Sequence, residues 1–217
     1  NIISTMPEFA GALKQAKEDI IGTYPFAGLQ DRLYGLARGE VVVFKGDEGI
    51  GKTEIFRAME YHLLKTTNSN IGVIHLEEDN GTTLRALAGY ELGTPCVIPT
   101  ASVSESDILG AIDHLGGNAG RIYIHSSFDI EDENAIIDNV RFLVSAANCD
   151  FIFLDHISWL ATGQDDEDER KKLDRISQRL KLLAKELRFW LGEISHVNDQ
   201  GKTRGSRNIT KVANTVI

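Results

Sequence analysis

The run Gly46-Asp47-Glu48-Gly49-Ile50-Gly51-Lys52-Thr53 constrains this chain more than any other stretch. It follows the spacing G-x-x-x-x-G-K-[ST]. An apolar segment, Val41-Val42-Val43-Phe44, precedes it and a helix-forming run over residues 54–65 follows. Strand, glycine loop and helix in that order make a cradle for phosphate. Glycines let backbone N–H groups turn inward, and the helix N-terminus adds partial positive charge. In such a loop Lys52 reaches the β- and γ-phosphates of a nucleotide, and the Thr53 hydroxyl holds Mg²⁺. Every residue of the run is therefore a candidate nucleotide-binding position.

The rest of the composition bounds the setting. The 217 residues suffice for one domain with a core of its own. No apolar run reaches membrane-spanning length and no signal-peptide pattern is present. Cys96 and Cys149 lie far apart without metal-ligand spacing, which predicts reduced thiols in a reducing compartment. A net charge of −9 excludes a globally basic nucleic-acid coat but leaves room for a local basic strip. The sequence starts on Asn1 without a methionine and stops on Ile217 inside an apolar run, so it reads as a piece of a longer chain.

Periodicity supplies the order of elements. Residues 6–21 place Met6, Phe9, Ala10, Leu13, Ala16, Ile20 and Ile21 at helical spacing, with Pro7 in the first turn; Thr23-Tyr24-Pro25 breaks the pattern. This amphipathic helix either folds back on its own core or docks on a neighbouring subunit. Residues 26–39, with Gly28, Gly35 and Gly39, read as turns. Strands are predicted at 40–45, 71–76, 121–126, 151–154 and 189–195. Helices are predicted at 52–66, 81–91, from Ser104 to about Leu115, 132–147, and from the acidic run 165–169 to about Arg188. Ser104 and Asp107 have the spacing of a capping box. A basic segment and a short helix near 207–213 close the chain. Near-continuous apolar strands alternating with helices predict an α/β fold with a mostly parallel central sheet flanked by helices.

In a parallel sheet, ligands collect at the carboxyl ends of the strands. Three strand ends carry chemistry. Phe151-Ile152-Phe153-Leu154 ends in Asp155, a second acid for the metal. The 71–76 strand runs into Glu77-Glu78, of which Glu77 is the candidate to take a proton from attacking water. The 189–195 strand is followed by His196, placed to hydrogen-bond the γ-phosphate. Glu193 interrupts that strand and faces either a helix or a partner subunit.

Taken together, the phosphate loop, Leu76-Glu77-Glu78, Leu154-Asp155-His156-Ile157-Ser158 with Asp168-Glu169-Arg170-Lys171, Ile194-Ser195-His196 and Arg204-Gly205-Ser206 resemble the motor domain of the hexameric replicative DNA helicases. This is the DnaB-like group, and the likeness is to the helicase half of the phage primase-helicases and their mitochondrial relative Twinkle. It runs from about Gly28 to Ile217. It implies a RecA-like P-loop NTPase fold over residues 25–217, with residues 1–24 as the linker helix that docks on the next subunit. It implies ATP or dTTP with Mg²⁺ as cofactors, Thr53 and Asp155 as metal-side residues, Glu77 as the catalytic carboxylate and His196 as phosphate sensor. The implied partners are single-stranded DNA and further copies of the chain in a hexameric ring, with a replication polymerase as a further candidate. The implied location is the cytoplasm of a bacterium, phage-infected or not, ahead of a mitochondrial matrix. Two features depart from the family. The 198–204 span is shorter than its DNA-binding loop, and its arginine finger would lie beyond Ile217.

Asn198, Lys202, Arg204 and Arg207, with Lys211 beyond, are the candidate DNA contacts, a basic cluster with no acid after Asp199. Without aromatic residues, such a loop tracks the phosphate backbone rather than stacking bases. Two other readings fit the same fold: a RecA/RadA-type recombinase, and a nucleotide-gated oligomerisation module of the clock-protein kind with no DNA role.

Overall fold

The structure is a computed structural model that describes residues 19–98, 102–117, 122–125, 133–161, 166–196 and 211–217. Its centre is a six-stranded sheet built from β3 (Val41–Gly46), β4 (Asn70–His75), β5 (Ile122–His125), β6 (Cys149–Asp155), β7 (Trp190–His196) and β8 (Thr215–Val216), in the order β5-β4-β6-β7-β3-β8. Each neighbouring pair is parallel. The helices are α1 (Ala27–Leu33), α2 (Lys52–Thr66), α3 (Asn80–Leu92), α4 (Glu105–Gly117), α5 (Glu133–Ser145) and α6 (Asp166–Leu187).

Side chains alternate across a strand, and the core divides accordingly. Val42 and Phe44 of β3, Ile71 and Val73 of β4, Phe151 and Phe153 of β6, and Trp190 and Ile194 of β7 pack with Phe56, Met59 and Leu63 of α2. Val41 and Val43, Ile74, Ile152 and Leu154, and Leu191 face the other way, against Ile136 and Val140 of α5 and Ile176 and Leu180 of α6. Helices thus cover both faces, which is what the continuous apolar strands predict.

An aromatic cluster clamps α2 to the sheet. The Phe56 ring meets Phe44 edge-on at 5.2 Å and Phe153 at 5.0 Å, and Phe153 lies 5.3 Å from Trp190. Gly192 makes room for it, since a Cβ there would sit 2.5 Å from the Trp190 ring. Losing Phe56 to alanine would cost about 3–5 kcal/mol and loosen the helix that carries Lys52 and Thr53.

The expected strands and large helices are present with shifted ends, and Ser104 and Asp107 form their box. Asp107 N donates to Ser104 Oγ at 3.1 Å, and Ser104 Oγ donates to Asp107 Oδ2 at 2.6 Å. Three places differ from the sequence expectation. Ile20–Gly22, at the end of the expected helix over 6–21, is a strand (β1) paired antiparallel with β2 (Leu36–Ala37); the helix itself falls otherwise on residues outside those described. The 26–39 stretch contains α1, closed where Tyr34 N in a left-handed turn donates to Gln30 O. Seven residues with a glycine give too little periodicity to register as a helix. β8 was not expected; Ile217 N donates to Val43 O and Lys45 N to Ile217 O, both at 2.9 Å, which fastens it beside β3. Of the late helix near 207–213, residues 211–212 are helical and 207–210 lie outside the described residues.

Register lines the chemistry up along one edge. Gly46 lies opposite His196, and His75 opposite Asp155. The strands carrying the phosphate loop, the two acids and the histidine therefore end together.

Candidate active site

The loop after β3 turns back into α2 through two glycines in left-handed conformations, Gly49 at φ 76° and Gly51 at φ 90°. A side chain would strain either position. Gly51 caps α2 without a side-chain bond, and the first bond to it inside the helix comes from Ile55 N at 3.1 Å. First-turn N–H groups ahead of that point have no intrahelical acceptor and suit an anion.

Lys52 is only 6% exposed, and its ammonium donates to Gly46 O at 3.0 Å and Asp47 O at 2.5 Å, holding it across the mouth of its own loop. Burial lowers its pKa, while Asp155, Glu48, Asp47 and Glu77 pull the other way. The next residue reaches a different strand. Thr53 Oγ1 donates to Asp155 Oδ2 at 2.5 Å, and Asp155 is 4% exposed.

Glu77 leaves the sheet just beyond β4. Its carboxylate lies 3.3 Å from His156 Nδ1. Burial raises its pKa first, then the negative charges of Asp155 and Glu48, with Lys52 opposing them. Water still reaches 48% of the side chain and screens much of the energy behind that shift. Leu76 N donates to Asp155 O at 2.6 Å, which ties the start of the Glu77 turn to the end of β6.

The structure thus gathers Lys52, Thr53, Asp155 and Glu77 beside the loop of Gly46, Asp47, Glu48, Gly49, Ile50 and Gly51. It puts the backbone of His196 at the same edge, opposite Gly46; the His196 side chain lies outside the described set. So do Asn198, Lys202, Arg204 and Arg207. Glu193 faces a helix: by strand alternation it shares the face of Leu191, and the Lys181 charge of α6 acts on it.

Several residues at this edge carry no assigned role in the sequence reading. His156 follows Asp155 through a cis peptide bond and touches Glu77. Glu78, the rejected half of the Glu77-Glu78 pair, is engaged by Arg57, His75 and Thr83. Glu60 meets His75 inside the α2 packing. One signal was available: Phe56, Met59, Glu60 and Leu63 are the buried stripe of α2, so an acid occupied a core-facing position.

Mg²⁺ fits this donor set. Hydroxyl and carboxylate are hard oxygen ligands, and the ion ordinarily takes only one or two from protein, the rest coming from phosphate and water. Among the described residues no group of three or more His, Cys, Asp or Glu gathers as a metal cage. A concavity of about 700 Å³ lined by Leu64, Leu84, Leu87, Ile112 and Leu115 belongs to the α3 and α4 side and contains none of the residues above.

A parallel α/β sheet with a glycine loop, a Lys-Thr helix start and an acid at a neighbouring strand end defines a P-loop nucleotide-binding domain. Within that class, residues 23–209 match the DnaB-like helicase C-terminal domain, and the chain belongs to that family. It is 26% identical over 208 residues to a DNA helicase/primase of Enterobacteria phage T3, covering 88% of this chain and 37% of that protein. It is 22% identical over 183 residues to a probable plasmid replicative DNA helicase of Chlamydia psittaci, covering 84% and 40%. The chain therefore spans less than half the length of these curated relatives. A DnaB-like replicative helicase, solved in a study of its interactions with primase, shares the fold at a TM-score of 0.74 and 16% identity, over 100% of this chain and 56% of the other. A KaiC-like protein of Pyrococcus horikoshii shares it at 0.65 and 18%, over 89% and 77%.

Proposed function

We propose that this chain is the motor domain of a replicative DNA helicase that hydrolyses a nucleoside triphosphate, ATP or dTTP, and moves 5′ to 3′ along single-stranded DNA as a hexameric ring. The observation that carries the reading is the 2.5 Å contact between Thr53 and Asp155 beside the buried Lys52 ammonium. It joins the two residues that hold the metal in a phosphate-transfer site.

In this reading the loop N–H groups and Lys52 bind the β- and γ-phosphates, and Lys52 exchanges its loop carbonyl partners for phosphate oxygens. Thr53 and Asp155 would hold Mg²⁺, which when bound would supply positive charge against the phosphate oxygens. Glu77 orients the attacking water and takes its proton; its raised pKa is a gain for a base that must accept a proton. His156 sits against the Glu77 carboxylate and limits its rotation. His196 reads the γ-phosphate from the end of β7. Asn198, Lys202, Arg204 and Arg207 grip the strand's phosphates, and an arginine finger from the neighbouring subunit completes each site. Residues 1–24 form the linker that docks on that neighbour. A replication polymerase is the further partner, and the compartment is the bacterial cytoplasm.

The test is forked-duplex unwinding by the full-length protein with Mg²⁺ and ATP or dTTP. Lys52→Ala and Asp155→Ala are each expected to abolish unwinding, and unwinding that survives Lys52→Ala would sink the reading. Electron micrographs on single-stranded DNA should show closed rings; open helical filaments would favour a recombinase instead.

A further inference from the structure

α2 carries more than Lys52 and Thr53. Further along it, Arg57 and Glu60 point at the strand end that leads to Glu77. Arg57 Nη2 donates to Glu78 Oε2, and its Nη1 donates to Glu54 Oε2 at 2.9 Å. The other Glu78 oxygen, Oε1, accepts from Thr83 Oγ1 of α3 at 2.6 Å and lies 2.9 Å from His75 Nδ1. His75 Nε2 in turn lies 3.2 Å from Glu60 Oε1, within ion-pair distance but without an aligned hydrogen bond. Little of this is in water: the side chains of Arg57, Glu78, His75 and Glu60 are 13%, 16%, 2% and 0% exposed.

The consequence falls on Glu77, which belongs to neither set of bonds. On one side of it, Leu76 N is bonded to Asp155 O. On the other side, Glu78 is held by α2, β4 and α3 at once. The short turn bearing Glu77 is thus pinned at both ends, one end to the strand of Asp155 and the other to the helix of Lys52 and Thr53. A charged pair in a dry setting is directional and resists displacement more than an apolar contact does.

We infer that Glu78 is a positioning residue for the hydrolytic step, clamped by Arg57 and His75 so that Glu77 keeps its distance from the phosphate loop. The inference rests on the proposed role of Glu77 as the water-activating carboxylate. A displacement on the order of 1 Å at such a group costs about 100-fold in rate. Nucleotide binding, which uses the loop and Lys52, does not pass through Glu78. The clamp therefore acts on turnover and leaves affinity alone.

The experiment measures nucleotide hydrolysis and nucleotide affinity in the full-length protein carrying Glu78→Gln, Arg57→Met, Arg57→Lys, Glu77→Gln, or Glu77→Gln with Glu78→Gln. Thermal melting is followed for each, and Arg57→Lys guards against a Glu78 variant that fails to fold. Glu78→Gln and Arg57→Met are expected to lower kcat by about 10- to 100-fold with nucleotide Kd within about twofold. Arg57→Lys should recover part of the rate lost in Arg57→Met, because it restores the charge without the two-pronged grip. In the Glu77→Gln background, adding Glu78→Gln should change the residual rate by less than about twofold, since both changes act on one group. If Glu77→Gln is inactive while Glu78→Gln and Arg57→Met turn over normally, the clamp is overturned and the role of Glu77 stands. Loss of Kd in step with kcat would also overturn it, marking a merely structural contact. Normal turnover in Glu77→Gln would overturn the role of Glu77 and the inference with it.

Discussion

Two glutamates are buried against opposite faces of the same sheet, and they are treated differently. Glu60, on α2, is 0% exposed and meets His75 at 3.2 Å. Glu193, on β7, is 1% exposed and faces α6; like those of Glu60, its carboxylate oxygens are buried without a hydrogen-bond partner, but among the described residues no ion pair reaches them. Burial pushes the Glu193 carboxyl up to about 8, with Lys181 only partly offsetting it. On the α2 face the cation is kept. Burial works against the His75 charge, yet Glu60 and Glu78 hold its pKa up at about 10. Burial likewise opposes the Glu78 charge, but bonds from His75 and Thr83 and the charges of His75 and Arg57 bring it down to about 2. Charge is thus retained on the face that bears the nucleotide loop. On the other face burial favours the neutral form of Glu193. A buried acid alone says little about function; a buried acid whose partner is also buried marks the face where geometry matters.

The largest test of this contrast removes the shared cation. His75→Ala leaves Glu60 and Glu78 without their common partner and should destabilise the protein by about 3–5 kcal/mol in denaturant unfolding. A loss under about 1 kcal/mol would mean that Glu60 is as unsupported as Glu193. On the opposite face the sign reverses. Glu193→Met fills similar volume without a buried acid and should stabilise by about 2 kcal/mol at pH 8.

A pH series sharpens the same point. Glu193 has a folded pKa above its reference value of 4.5, so ionisation of the unfolded chain draws stability down as pH rises from 4.5 towards about 8. The Met variant should therefore gain little at pH 5 and its full advantage near pH 8. The other face runs oppositely at its acid limit. The Glu78 contribution is full above 4.5 and is lost as pH falls through about 2. The His75 contribution is full below 6.5 and is lost as pH rises through about 10. Both are complete between about 4.5 and 6.5, so the wild-type optimum should fall there and move upward in Glu193→Met. The smallest effect belongs to Lys181→Met. It removes the α6 cation that favours ionised Glu193, and a carbon-detected titration should show the Glu193 pKa rising further, with stability changing by less than about 1 kcal/mol.

The contrast also explains what could be read from the chain. The phosphate loop is contiguous, and its glycines answer to local backbone angles. Asp155 ends an apolar run, and register alone carries it to the loop. Glu193 stood out as an acid within a strand, although its face depended on the pairing of Val43 and Leu154 with it. His75, Glu60 and Arg57 were not legible as a set, because their pairing requires β4 to lie against α2, a contact between elements rather than within one. α1 and β8 were missed for a simpler reason: seven residues and two residues carry too little pattern, and tertiary hydrogen bonds hold them.

The central claim is that Lys52, Thr53 and Asp155 bind the nucleotide and metal while Glu77 activates water. DNA-stimulated hydrolysis by full-length Glu77→Gln, measured beside its affinity for Mg²⁺-nucleotide, tests it directly. The account predicts affinity within about twofold of wild type and turnover reduced by about 100-fold or more. Turnover within a few-fold of wild type, with binding intact, would contradict it.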